Sequence, residues 1–509
     1  MINYSLEPQA KKVDALVIPF FEDIKPDVIA NQLNQVFEGL VNQVVELEDF
    51  QGKKGQSALL YTQVEFTPRV FLVGLGKEKS LTVRDWKQAI GTATIAMQEK
   101  KSESISIVIP KQLIKSFDFN IKKLGYETVL AIEIANYSFD TYKDKEAHVK
   151  PLKDVMFVGD FETTEKKLFQ KGAEEGKQTA QGVNLARMLG NTPPSIMTPA
   201  LIAKNAKEIA KENNKTKVTV FEKADMEKMG MGCLLGVAKG SVLDPKFIVI
   251  EYNNTTKKTK PTVLVGKGVT FDTGGLSLKP GEFMTDMKFD MLGAATVLGI
   301  MKAATNLGLK NHIVGIIPSC ENAVSGEAYR PDDILTAMNG KTVEVKNTDA
   351  EGRLILADAL SYVAKHYKDA KEVIDFATLT GACIVALGNE RSGLFSPEEN
   401  IVNKLTISAK NSGEQLWHLP IGSEYSEAVK SLTADIKNVG GVGGPRYAGA
   451  STAAAFLQYF TLDHKSGEAI YPWAHIDLSC SYYNGAGHPW IRHGANGFGV
   501  QTLIGYIRS

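Results

Sequence analysis

Asp349, Glu351 and Arg353 occupy every second position of NTDAEGRL (347–354), with only Ala350 and Gly352 between them. The segment lies between a strand-like run, KTVEV, and a helix-like one, ILADAL. An extended backbone would put the three charged side chains on one face. Two carboxylates so close repel each other, and a cation is needed to hold them together. Upstream, VGKGVTFDTGGLSLKPGEFMTDMKFDMLGAA supplies Lys267, Asp272, Lys279, Asp286 and Asp290. If the two stretches meet, Asp272, Asp290, Asp349 and Glu351 share a site with Lys267, Lys279 and Arg353. One outcome is a salt-bridge network in which the basic groups balance much of the charge. The other is a binuclear centre, with carboxylates bridging two divalent ions about 3.5–4 Å apart. Such ions would make a hydroxide from a shared water at neutral pH and polarise a substrate carbonyl. The eight histidines are scattered and no H-E-x-x-H occurs, so oxygen ligands dominate and Mg²⁺ or Mn²⁺ is admitted as well as Zn²⁺.

These residues need a scaffold. TVLVGKGVTF (262–271) reads as a strand, with Lys267 and Asp272 near its end and in the loop beyond. Thr273-Gly274-Gly275 permits a sharp turn and close backbone approach to a ligand. Ligand sites of α/β sheets favour the carboxyl ends of strands, where these residues and Asp349/Glu351 would lie. From Pro199 onward, KVTVFE, FIVIEYN, HIVGIIPS, EVIDFATLTG and AHIDLSC are apolar strand candidates separated by helical stretches. Their composition suits a sheet covered on both faces. Earlier, ALVIPF, RVFLVGLG and SISIVIP read as buried strands, and TVRDWKQAIGTATIAMQEK as a helix that starts at Thr82 with Asp85 helping to cap it. A further helix covers 165–189, where Gly172, Gly176, Ala180 and Val183 form a narrow stripe of small residues; NTPPSIMTP ends it. The expected fold class is α/β. A small amino-terminal α/β domain spans 1–162 and a linking helix with a Pro-rich turn spans 163–198. A larger catalytic α/β domain spans 199–509, its mixed central sheet covered by helices on both faces.

A chain of 509 residues exceeds what one hydrophobic core usually serves. Its 43% apolar and 23% charged residues are ordinary for soluble globular protein. The 58 basic and 58 acidic residues cancel, so there is no general pull towards nucleic acid or an anionic membrane. Cys233, Cys320, Cys383 and Cys480 form no C-x-x-C pair, which predicts free thiols in a reducing compartment. The opening MINYSLEPQAKKVDALVIPFF lacks the pattern of a secretory signal, and no run approaches the roughly 18 apolar residues of a membrane span. A cytoplasmic protein is expected. VGLGKEKS (73–80) offers two glycines of a dinucleotide fingerprint but neither the third nor an acidic partner.

Taken together, VGKGVTFDTGGLSLKP, MKFDMLGAA and NTDAEGRLILADAL resemble the leucine (cytosol) aminopeptidase family of two-metal exopeptidases. FATLTGACIVALG, GGPRYAGASTAAAFL and ANGFGVQTL extend the resemblance over most of residues 185–505, whereas the first 160 residues match only weakly. The resemblance implies that Asp272 and Glu351 bridge the metals. Lys267 and Asp290 would complete one coordination sphere and Asp349 the other, leaving Lys279 and Arg353 as the catalytic pair. Lys267 can bind a metal only after losing its proton, and adjacent dications favour that loss; the rival role is an ion pair to Asp272 or Asp290. The substrate's free amino terminus would bind one metal beside Asp290, and the scissile carbonyl the other metal and Lys279. A bicarbonate at Arg353 would shuttle the proton, since arginine stays protonated; the rival role is a salt bridge to Glu351 or Asp349.

The same resemblance places Thr378, Leu379 and Gly381 along the substrate groove and Met287 in the side-chain pocket. Ser479 and Tyr482 depart from the smaller or more apolar residues common there, which leaves preference for leucine open. The implied partners are peptides with a free amino terminus and further copies of the chain in a homohexamer, with no membrane partner. The alternative class is a non-catalytic scaffold or nucleic-acid binder on the same fold, against which the neutral charge and the retention of every ligand position argue.

Overall fold

The computed structural model describes residues 2–22, 37, 39–110, 113, 120–444 and 447–509. Pro445 and Arg446 of the GGPRYAGASTAAAFL motif lie outside the described residues. The chain divides into two compact units, Met1–Ala180 with Gly485–His493, and Gln181–Asn484 with Gly494–Ser509.

The first unit is built on a sheet of six strands: β1 (Asn3–Glu7), β2 (Ala15–Phe21), β3 (Ser57–Tyr61), β4 (Arg69–Gly76), β5 (Ser104–Val108) and β6 (Asp154–Val158). Their order is β1-β6-β5-β2-β4-β3, all parallel except β3 on β4. The apolar runs expected as strands are β2, β4 and β5. The helix Val83–Glu99 starts as expected: Thr82 accepts from the Asp85 backbone N–H while the Asp85 carboxylate accepts from that of Thr82, closing a capping box. VGLGKEKS ends β4 and passes into a single tight turn, Glu78–Ser80, instead of the helix opening that a dinucleotide site needs. In the helix Thr163–Asn191, a Cβ on Gly172 or Gly176 would strike the carbonyls of Lys122 or Tyr126 in the helix Ile121–Asn136. The small-residue stripe exists to admit that backbone.

The second unit carries β7 (Thr216–Phe221), β8 (Lys246–Asn253), β9 (Thr262–Gly266), β10 (Gly268–Asp272) and β11 (His312–Asn322). Then come β12 (Ile334–Thr336), β13 (Thr342–Glu344), β14 (Glu372–Ala377), β15 (Ser392–Phe395), β16 (Leu416–His418), β17 (Ile436–Lys437) and β18 (Trp473–Asp477). The main sheet runs β16-β15-β18-β14-β9-β11-β8-β7, with β10 also on β11. Strands β18, β14, β9 and β11 are mutually parallel, and β15, β8 and β7 join through antiparallel pairs, so the sheet is mixed. Val263, Val265, Val314 and Ile316 pack with Leu356 and Leu360 of the helix Glu351–His366. On the opposite face Gly315 approaches Val297 of the helix Leu292–Leu307 so closely that a Cβ would lie 2.8 Å from its Cγ1. Helices thus cover both faces, which is why these strands are mostly apolar. Strands β12, β13 and β17 form a separate small sheet.

All four cysteines are buried and free. No helix among the described residues is long and apolar enough to cross a membrane.

Candidate metal centre

The run TVLVGKGVTF is two strands, not one. It breaks at Lys267, whose N–H donates to the Phe376 carbonyl at 2.9 Å and whose carbonyl accepts from the Ala294 N–H at 2.8 Å. Lys267 is therefore wedged between the end of β14 and the start of the helix Leu292–Leu307, with its side chain turned to the carboxyl edge of the parallel strands. Beyond the break, β10 ends on Asp272, β11 on Asn322, β14 just before Thr378 and β18 on Asp477. The site gathers where parallel strands finish.

Gly274 and Gly275, both at positive φ, turn the chain back so that the Lys279 N–H reaches the Thr273 carbonyl at 3.0 Å. The Lys279 ammonium lies 2.9 Å from Asp272 Oδ2 and also pairs with Asp349. Asp272 Oδ1 accepts from the Gly274 N–H at 2.9 Å and Asn322 Nδ2 at 2.8 Å. Thr348 fastens this turn to the second motif. Its hydroxyl donates to the Gly274 carbonyl at 2.6 Å and accepts from the Ser277 N–H at 2.7 Å. Its carbonyl takes Tyr329 Oη at 2.6 Å and Asn322 Nδ2 at 3.0 Å.

The expected extended NTDAEGRL is corrected here. Residues up to Ala350 form a turn, and Glu351 is the first residue of the helix Glu351–His366. Two helical residues apart is about 200° of rotation, so Arg353 departs from the face of Glu351. Asp349 and Glu351 thus come from a turn and a helix start, not from a strand end of the main sheet. Arg353 is buried and Nη1 donates to the Asn438 carbonyl at 2.7 Å; no ion pair to Asp349 or Glu351 forms, and Nε has no hydrogen-bond partner among the described residues. Burial lowers its pKa to about 10.

Lys267 is 3% exposed, and its ammonium lies 2.7 Å from Asp290 Oδ1, 2.7 Å from Glu351 Oε1 and 2.9 Å from the Thr378 carbonyl. Asp290 Oδ1 also accepts from Thr378 Oγ1 at 2.8 Å, while Asp290 Oδ2 is buried with no donor among the described residues. Oxygens of the buried Asp272, Asp290 and Glu351 fall within 4.8 Å of one another. Burial alone would lower the Lys267 pKa, but the neighbouring Asp290, Glu351 and Asp272 together raise it. Burial, then Glu351, pushes Asp272 up to about 7, and burial also raises Asp290 and Asp349. Glu351 alone is lowered, because Lys267 and Lys279 outweigh its burial.

Four carboxylates face only two ammonium groups, and the raised pKa of three of them is the cost of burying and crowding acids that these lysines do not balance. The salt-bridge network is real, but two ammonium groups are too few to keep four carboxylates ionised. With an orphaned buried carboxylate oxygen and a set of hard oxygen donors, the residues fit divalent cations.

Lys267, Asp272, Lys279, Met287, Asp290, Asp349, Glu351, Thr378, Leu379 and Gly381 all line one cavity of about 870 Å³, joined by Ser479 and Tyr482. Arg353 is not on its wall among the described residues. Sequence reasoning missed Asn322, Thr348 and Asp477. Asp477 is buried and accepts from the Leu379 N–H at 3.0 Å, the Thr380 N–H at 3.3 Å and Thr380 Oγ1 at 2.6 Å, fixing the groove after β14. Asn322 and Asp477 each close an apolar strand with a polar residue, which was the available signal.

Comparison with known proteins agrees with this geometry. Residues 184–504 match the sequence model of the cytosol aminopeptidase family, catalytic domain, and residues 17–146 that of the family's N-terminal domain. A probable cytosol aminopeptidase of Nitrosococcus oceani is 39% identical over 505 residues, 98% of this chain and 96% of that protein. One from Paraburkholderia phymatum is 41% identical over 503 residues, covering 97% and 95%. Among solved structures, a tomato leucine aminopeptidase mutant superposes with a TM-score of 0.86 at 31% identity, covering 100% of this chain and 97% of that one. The bottromycin maturation enzyme BotP in complex with Mn gives 0.81 at 27% identity, covering 97% and 99%.

Proposed function

Because the chain belongs to the cytosol aminopeptidase family and is a metallo-exopeptidase that hydrolyses peptide bonds, we propose that it releases amino-terminal residues, leucine among them, with two divalent ions at the acidic cluster. Asp272 and Glu351 would bridge the ions, Lys267 and Asp290 would complete one coordination sphere, and Asp349 the other. Zn²⁺, Mn²⁺ and Mg²⁺ all suit such donors; Mn is the ion named with the relative BotP. Bound there, the ions supply Lewis acidity and lower the pKa of water into the neutral range.

The observation that carries this reading is the orphaned Oδ2 of Asp290. Lys267 and Thr378 hold the other oxygen, so the carboxylate is fixed with one acceptor to spare. That oxygen is the one left to meet a cation, and a peptide's free amine held at such an ion would lie beside Asp290 and donate to it, whereas a blocked amino terminus has no basic nitrogen to offer. Lys267 must first give up the proton it holds between Asp290 and Glu351, since an ammonium has no lone pair. Lys279 extends from the Gly274–Gly275 turn and donates to the substrate carbonyl oxygen as negative charge grows on it. Thr378, Leu379 and Gly381 orient the peptide backbone, with Asp477 holding their loop. Met287 contributes a flexible pocket wall. At Arg353 the unpartnered Nε and planar fork suit a bicarbonate, which would supply the proton acceptor that arginine is not.

The assembly in this proposal is a homohexamer, and the location the cytoplasm, in keeping with four buried free thiols. The test is amino-acid release from unblocked dipeptides by metal-stripped and Mn²⁺- or Zn²⁺-restored protein, with acetylated dipeptides as controls. Activity should return with metal and only on free amino termini. Cleavage of acetylated substrates at the same rate would refute amine capture.

A further inference from the structure

The cavity wall on the Asp290 side carries polar groups that the chemistry above leaves unused. Asp286 stands four residues before Asp290, at the head of the short turn Met287–Met291, and lines the cavity. Its backbone is left-handed, at φ 71°. An aspartate tolerates that conformation because its carboxylate can bond to nearby backbone, yet here the side chain makes no capping hydrogen bond. The lysines on the wall, Lys267 and Lys279, are held by Asp272, Asp290, Asp349 and Glu351, so neither is left for Asp286. Lys288 is turned elsewhere, donating to the Asn191 carbonyl at 3.5 Å and lying 4.9 Å over the Phe289 ring.

Tyr482 forms the neighbouring wall, stacked on the buried Phe289 ring at 4.4 Å and 21°. Asp286 and Asp290 line the same cavity as Tyr482, whose phenol pKa is raised by burial and then by these two carboxylates. Ser479 is committed, donating to the Arg391 carbonyl at 2.7 Å, so Tyr482 is the departure that shapes the pocket.

We propose that Asp286 and Tyr482 select the side chain of the amino-terminal residue, and that the class they favour is long and cationic: arginine or lysine. The inference rests on the aminopeptidase reading above. The aliphatic stem lies along Met287, the charged head pairs with Asp286, and a guanidinium lies against the Tyr482 ring, whose face attracts a cation. The subsite belongs to the amino-terminal residue because Asp286 and Phe289 share the turn that carries Asp290, the group facing the free amine.

The experiment compares arginyl-glycine with citrullyl-glycine, whose side chain has nearly the same shape and no charge, in the Mn²⁺-loaded protein. Arginine is expected to lead in kcat/KM by about tenfold, and Asp286→Asn to bring the ratio within about twofold of unity. The ratio cancels any loss of active protein in the variant. Equal rates in the unmodified protein, or an unchanged ratio in Asp286→Asn, would overturn the inference. So would a charge preference that appears with glycyl-arginine over glycyl-citrulline instead, since that puts the cation one subsite away. Leucyl-glycine separates the levels. Its hydrolysis without an arginine preference sinks only the pocket, whereas no hydrolysis of any of the peptides sinks the aminopeptidase reading beneath it.

Discussion

Glu351 and Lys279 are both charged and both line the cavity, yet they should fail differently. Glu351 is 1% exposed and lies 2.7 Å from Lys267, with Asp272 and Asp290 oxygens within 4.8 Å. Glu351→Ala removes the proposed shared ligand, so metal content measured by atomic emission should fall at both positions and turnover should fall below about a thousandth. Lys279 pairs with Asp272 and Asp349, and in the proposal it is a donor to the substrate and not a metal ligand. Lys279→Ala should keep its metal while turnover drops by about 10²–10³, the usual cost of removing one donor to a developing oxyanion. Loss of both metals from the lysine variant would contradict its assignment. The resemblance-based expectation for these residues came from motif spelling. The bonds by which Asn322 holds Asp272 and Thr348 holds the Gly274 turn were not spelled in either motif, because each joins segments distant in sequence.

The elements that carry the cluster meet at two glycines, and the two contacts differ in kind. A Cβ on Gly352 would lie 2.5 Å from Lys267 Cε and 2.7 Å from Nζ, atoms at the end of a side chain. Gly352→Ala should therefore shift the Lys267 nitrogen and weaken metal binding in a titration, with little change in melting temperature. A Cβ on Gly293 would lie 2.7 Å from the Lys267 backbone nitrogen and strike the Phe376 carbonyl, where the helix Leu292–Leu307 meets β14. Backbone cannot give way so cheaply, and Gly293→Ala should cost about 2–4 kcal/mol of stability, read by chemical denaturation. A larger stability loss in Gly352→Ala than in Gly293→Ala would reverse this account. The apolar runs of β8, β11, β14 and β18 were readable as strands because both faces are covered. The break at Lys267 was not, since it depends on the Phe376 carbonyl and Ala294 N–H, which arrive from other parts of the chain.

For the molecule as a whole, metal binding and folding are linked. An ion that binds only the folded chain adds about 2.7 kcal/mol per site at a hundredfold excess over its Kd. Chelator-treated protein should melt several degrees below the Mn²⁺-loaded form, and the gap should close in Glu351→Ala. An identical melting temperature with and without metal would show that the crowded acids are tolerated without cations. Light scattering checks the assembly, with six times the chain mass expected.

The sequence by itself determined the α/β class, the residue types of the cluster and the family, because alternating apolar runs and a long, specific motif are local properties of the chain. It also placed the capping of Val83–Glu99 and the small-residue stripe of Thr163–Asn191, again because caps and helical spacing are local. Only the tertiary structure decided that Arg353 bonds the Asn438 carbonyl instead of pairing with Glu351, that Lys267 splits a strand, and that Asp286 has no cation partner among the described residues. Each of these depends on which distant backbone groups and charges arrive at the same place, and charge balance in a buried site is a sum over all of them.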